Sequence, residues 1–165
     1  MTKDTKSVIR TTDEEARRLG RALISDARHA ALAVVDPGSD HPMVSRVALG
    51  TAPDGTPLTL ISDLSHHTKI LTVNPNCSVL VGEPGPKGDP LTHPRITLMA
   101  QARFVRQNDN GFDRLRDHYL ETHPKARLYI NFTDFSFALF EVSEAHLNGG
   151  FGKAYHLKRS DLFGS

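Results

Sequence analysis

The spacing of the apolar runs constrains this chain more than any other feature. Ala31 to Val35, Met43 to Ala52 and Pro57 to Ser62 are short β-like runs, separated only by turns around Asp36-Pro37-Gly38, His41-Pro42 and Pro53-Asp54-Gly55-Thr56. A parallel crossover needs about a dozen residues or more, so these strands must turn back on one another. Asp54-Gly55 marks the clearest reversal, because Gly accepts the positive φ of a tight hairpin turn. Cys77 to Val81 reads as a fourth strand, Arg95 to Val105 as a long fifth, and Phe135 to Leu147 alternates as a late strand.

Helical periodicity is confined to three places. Thr12-Asp13-Glu14-Glu15 reads as a capping box with Thr12 as the cap, and Ala16, Leu19, Leu23 and Ala27 follow at helical spacing to about Asp26. Ser65 is placed to cap a short helix through Ile70, Leu71 and Val73, which Asn74-Pro75 stops because the residue before Pro disfavours the helical region. Gly111 to Thr122 carries Phe112, Leu115 and Tyr119 on one side. Glu83-Pro84-Gly85-Pro86-Lys87-Gly88-Asp89-Pro90 holds too many Pro and Gly for a ladder and reads as a loop, a candidate for a functional one. No repeat or composition break divides the 165 residues, a length that suits one core. The expected fold is mainly β within the α+β class: an antiparallel closed or split β-barrel with peripheral helices.

Charge and cysteine content exclude several classes. Twenty Lys and Arg against nineteen Asp and Glu leave a net charge of +1, with no global field for nucleic acid or an anionic membrane. The lone Cys77 permits neither a disulfide nor a Cys-based zinc cluster and is expected to be buried in a reducing compartment. Neither a signal peptide nor a run of about eighteen apolar residues is visible, so the expectation is a soluble, cytoplasmic protein.

An anion site must therefore be local. A hairpin with its tip at Asp54-Gly55 sets Arg46 beside Ser62 and Asp63, within one residue of register. Arg46 then meets Ser65-His66-His67-Thr68-Lys69, where free N–H groups, two hydroxyls and Lys69 can converge on a phosphate. The alternative is an Arg46–Asp63 ion pair with Lys69 solvated, and spacing alone leaves both open.

The runs Ser45-Arg46-Val47-Ala48-Leu49, Ile61-Ser62-Asp63-Leu64-Ser65-His66-His67-Thr68-Lys69, Gly88-Asp89-Pro90-Leu91-Thr92-His93-Pro94-Arg95 and Asn148-Gly149-Gly150-Phe151-Gly152-Lys153-Ala154 together resemble a known family. It is the FMN-binding split-barrel family related to pyridoxamine 5'-phosphate oxidase, and in particular its haem-degrading HugZ-type branch. The resemblance spans about residues 20–157, within a single expected domain over 1–165 whose residues 1–10 are expected to be flexible. It also implies that Arg46, Thr68 and Lys69 hold the FMN phosphate, helped by His67. Val47 and Ala48 then lie against the flavin, Ser62 lies near the ribityl chain, and Arg95 reaches the flavin of a neighbouring subunit. A homodimer taking a small-molecule substrate follows from the same resemblance, with haem as a further possible ligand.

The departures narrow the activity. Leu147 stands near the family's Trp position and Lys153-Ala154-Tyr155 near its Arg-x-His, which argues against pyridoxamine-phosphate oxidation. Lys153 and His156 remain as candidates for substrate contact. Nine His residues raise the question of a metal, and His118, Glu121 and His123 form the nearest ligand group. The position of His123 before Pro124 spoils the helical spacing, so no metal is expected. No nucleophile elbow or dinucleotide fingerprint is present, and Phe132, Phe135, Phe137 and Phe140 read as core or subunit contact. Two functions follow: an FMN-dependent oxidoreductase, in which the flavin does the chemistry and no side chain is catalytic, or a haem- or flavin-binding protein that degrades haem, carries its ligand or senses it.

Overall fold

In the computed structural model, residues 8–164 are described. The order is β1 (Ile9–Arg10), α1 (Glu14–Asp26), β2 (His29–Val35), β3 (Pro42–Ala48), β4 (Gly50–Thr51), β5 (Pro57–Ser62), α2 (His66–Val73) and β6 (Asn76–Val81). After a 3-10 turn at Pro90–Thr92 come β7 (Arg95–Val105), α3 (Phe112–Thr122), a second 3-10 turn at Pro124–Leu128, β8 (Phe135–Asn148), β9 (Ala154–Lys158) and α4 (Arg159–Leu162).

β8 organises the sheet because its 14 residues are long enough to serve three partners. Along one edge it pairs antiparallel with β7, from Arg95↔Asn148 to Val105↔Phe137. Along the other its first half pairs with β5 and its second half with β9. The main path runs β1-β9-β8-β7-β6-β2-β3, with β4 and β5 branching from β8. No ladder joins β1 to β3 among the described residues, so the sheet is mixed with helices, mostly β, and split rather than closed.

Two apolar clusters fill the interior, and β8 feeds both. Leu32, Val79, Leu98, Phe140 and Leu157 pack with Ala16 and Ile24 of α1, while Leu58, Ile130 and Phe137 pack with Phe112 and Tyr119 of α3. Phe137 meets the Phe112 and Tyr119 rings at centroid distances of 5.4 Å each. Each such side chain contributes roughly 1.5–3 kcal/mol by leaving water. Cys77 is buried, which pushes its thiol up to about 12. No helix among the described residues is long and apolar enough to cross a membrane.

Three sequence expectations are corrected. Asp13, not Thr12, caps α1: its Oδ1 accepts from the Ala16 N–H at 2.8 Å, while the Thr12 hydroxyl donates to the His156 carbonyl at 3.2 Å. The expected strand from Met43 to Ala52 breaks at Leu49, whose side chain is buried and whose N–H bonds the Arg28 carbonyl, so the chain bends there. Only Gly50 and Thr51 then form the hairpin with β5, whereas β3 pairs with β2 and sets Arg46 opposite Ala31. Finally, Ile9 and Arg10 are held parallel to β9, in a segment expected to be flexible; the rest of that expectation, for residues 1–7, lies outside the described residues.

Candidate functional site

The start of α2 docks on β3 through one bond. Along β3, Ser45 is half-buried, Val47 is buried, and Arg46 between them is exposed. This is the two-residue alternation of a strand with one face covered. The Ser45 hydroxyl lies 3.1 Å from His67 Nδ1, which fixes the imidazole one residue along from Arg46. Ser45 therefore carries the contact with α2, and Arg46, its neighbour in β3, stands on the opposite, exposed face of the strand, paired with Ala31 and not set by the hairpin register.

Two polar atoms here are buried without a partner. Thr68 is 1% exposed, and neither its Oγ1 nor His67 Nε2 has a hydrogen bond. Leaving such a group unmet costs about 1–3 kcal/mol; the hydroxyls of Thr59 in β5 and Ser136 in β8 are also unmet, and the pair at α2 differs in standing at a helix start next to an exposed cation. Burial, with the neighbouring His66, holds the His67 imidazole below the usual histidine range. Ser65 stands at the N-cap but makes no side-chain cap bond. Among the described residues, Arg46 and Lys69 are exposed cations with no side-chain hydrogen bond or ion pair. Lys69 thus follows two buried groups that lack partners in the first turns of a helix, a setting where an anion is favoured, while Arg46 lies one residue from the strand position that holds His67.

Other expected members are already engaged. The Ser62 hydroxyl donates to Asp134 at 2.5 Å and accepts from the Leu64 N–H at 3.1 Å, a bond across 72 positions that the sequence did not disclose. Asp63 pairs with Arg106 at 3.1 Å, so the alternative Arg46–Asp63 pair is not formed. Arg95 donates to the Leu91 and His93 carbonyls at 2.9 and 3.3 Å, folding back on its own loop. His93 is used twice, with the Gly85 N–H at 3.1 Å and the Lys87 carbonyl at 2.7 Å. Val47 is buried and Ala48 half-buried at the end of β3; Lys153 is exposed just before β9, and His156 bonds Glu144 at 3.0 Å. Of the histidine group, His118 lies 3.8 Å from Glu121, while His123 stacks on Tyr119 and contacts the Arg28 carbonyl, apart from the other two.

A separate cleft of about 1160 Å³ opens beside Ala33, Cys77, Met99, Glu141 and Glu144. None of the expected cofactor residues lines it. Its cations are already engaged: Arg103 pairs with Glu141 at 2.7 Å, and Arg159 donates to the Val142 carbonyl at 3.2 Å, with the Asp54 and Glu144 carboxylates also in the lining.

The open, mostly β sheet with peripheral helices is the fold of a known family. The chain belongs to the family described as CREG, beta-barrel, which it matches over residues 11–163. It is 36% identical over 117 residues to the chloroplastic heme oxygenase HOZ of Arabidopsis thaliana, covering 70% of this chain and 34% of that protein. The chain thus spans about a third of the length of that curated relative. A heme-binding protein from Mycobacterium smegmatis superposes with a TM-score of 0.80 at 24% identity, over 93% of this chain and 61% of the other. A pyridoxinephosphate oxidase family protein from Clostridium acetobutylicum superposes with a TM-score of 0.68 at 12% identity, over 92% and 100%. Both structures share the fold.

Proposed function

We propose that this chain binds haem and belongs functionally with haem-degrading or haem-carrying proteins, with the start of α2 anchoring the anionic edge of the ligand. The observation that carries this reading is the pair of buried atoms without partners, Thr68 Oγ1 and His67 Nε2, with the exposed cation Lys69 next in α2 and the exposed Arg46 next to Ser45, the partner of His67. Propionate carboxylates supply the acceptors that these donors lack. The 36% identity to a heme oxygenase favours haem as the owner of those carboxylates. Bound haem would supply the redox chemistry, while Arg46, Thr68 and Lys69 bind and His67, held by Ser45, orients. A second copy of the chain completes the pocket in this reading.

FMN is the second reading, favoured by the donor set itself. Two cations and a hydroxyl at a helix start suit a phosphate as well as a carboxylate, and the pyridoxinephosphate oxidase family shares the fold. The flavin would then carry electrons or hydride.

Titration of the purified chain with hemin and, separately, with FMN tests both readings. The haem reading expects a saturable Soret band at one haem per chain; saturable FMN binding with no hemin binding transfers the account to the flavin. Absence of saturation with either ligand overturns both.

A further inference from the structure

On the outer face of the sheet, β8 and β9 bring together three side chains that the anion site does not use. His146 and His156 are register partners, and Glu144 lies two positions before His146 on the same face of β8. The two imidazoles stack in parallel, 4.9 Å between centroids and 2° between planes. Both Nε2 atoms turn to one carboxylate: His156 to Glu144 Oε2 at 3.0 Å and His146 to Oε1 at 4.0 Å. One ligand atom from each residue falls within 4.8 Å of the other two.

We propose that Glu144, His146 and His156 form a binding site for a divalent late first-row transition ion, such as zinc or copper. Two imidazole nitrogens and a carboxylate are the donor set such ions prefer, and three protein ligands leave positions open for water or a further ligand. A bound ion with metal–nitrogen distances of about 2.0–2.1 Å draws its ligand atoms to roughly 3 Å apart. Rotation about exposed side-chain bonds supplies that contraction, since all three side chains are about half exposed and the strands that carry them stay paired. A carboxylate shared by two surface histidines also neutralises part of the ion's charge.

The site is independent of the haem reading, so its test uses metal alone. Calorimetric titration of tag-free protein with zinc chloride is expected to report one ion per chain. His146→Ala and His156→Ala should each weaken binding at least tenfold, and Glu144→Gln by a smaller factor. His118→Ala, on α3, should leave binding unchanged. Copper added to the wild type should give an electron paramagnetic resonance spectrum with nitrogen hyperfine structure from two imidazoles, and that structure should disappear in the double histidine variant. Zinc affinity unchanged in the double variant, or no zinc binding by the wild type, overturns the site.

Discussion

The start of α2 and the Pro- and Gly-rich loop before β7 hold similar residues and use them in opposite ways. In the loop, His93 spends both ring nitrogens, the Asp89 carboxylate accepts from the Leu91 N–H at 2.9 Å, and Thr92 donates to the Asp89 carbonyl at 2.7 Å. At α2, His67 keeps one buried nitrogen free, the Thr68 hydroxyl is unmet and Lys69 has no partner among the described residues. A polar group already satisfied inside the protein has little left for a ligand, whereas a buried one without a partner gains by meeting it. The loop looked functional because it is rich in Gly and Pro, but those residues report backbone shape, and its polar groups are already bonded within it.

Removing the cations Arg46 of β3 and Lys69 of α2 is the strongest way to break this contrast. Arg46→Ala and Lys69→Ala should each weaken hemin or FMN binding by about 1.5–3 kcal/mol, the range for charged hydrogen bonds, and the loss should shrink as salt is raised. Equal affinity in both variants, measured by absorbance titration, would show that these cations are only solvated.

The base of the loop should respond in stability. Gly82 has φ +111°, and a Cβ there would stand 2.6 Å from the Pro94 carbonyl oxygen and 2.9 Å from Arg95 Cα, both backbone atoms. Gly82→Ala should therefore cost about 2 kcal/mol or more in urea denaturation. A wild-type midpoint would mean that the loop is not clamped onto β7.

Thr68→Val should move the two properties in opposite directions. It replaces the unmet hydroxyl with a methyl of similar size, so the ligand-free protein should gain about 1 kcal/mol while ligand binding falls by a similar amount. Destabilisation of the ligand-free protein would indicate that the hydroxyl already has a partner.

His67 sharpens the same point through pH. Its lowered value means the folded protein resists a proton that the unfolded chain accepts below about 6.5. The stability that neutral His67 contributes is present above that value and is lost as pH falls through the lowered folded value. His67→Gln should flatten the decline in melting temperature between about pH 7 and pH 5, and an unchanged decline would assign it to other groups. The smallest effect belongs to the loop: His93→Ala should alter ligand affinity by no more than about 0.5 kcal/mol.

Much of this fold was legible from local chemistry. β7 runs from Arg95 to Val105 as the alternation suggests, and α2 lies between Ser65 and Asn74-Pro75 as the turn signals require. The bend at Leu49 was not legible as such: Gly50 interrupts the run, but a Gly inside a strand does not say that the partner strand changes there. β9 escaped for the opposite reason: five residues with three outward-facing positions give too little pattern to distinguish from a polar tail. At the site, the sequence pointed to His67, Thr68 and Lys69, but Ser45 holding His67 is a contact across 22 positions, visible only once α2 is packed on β3.

The most direct test of the anion anchor is a crystal structure of the hemin-loaded protein. The account predicts a propionate oxygen within about 3 Å of Thr68 Oγ1, with Arg46 and Lys69 turned toward the same carboxylate. Haem bound elsewhere, with the Thr68 hydroxyl still unpartnered, would contradict it.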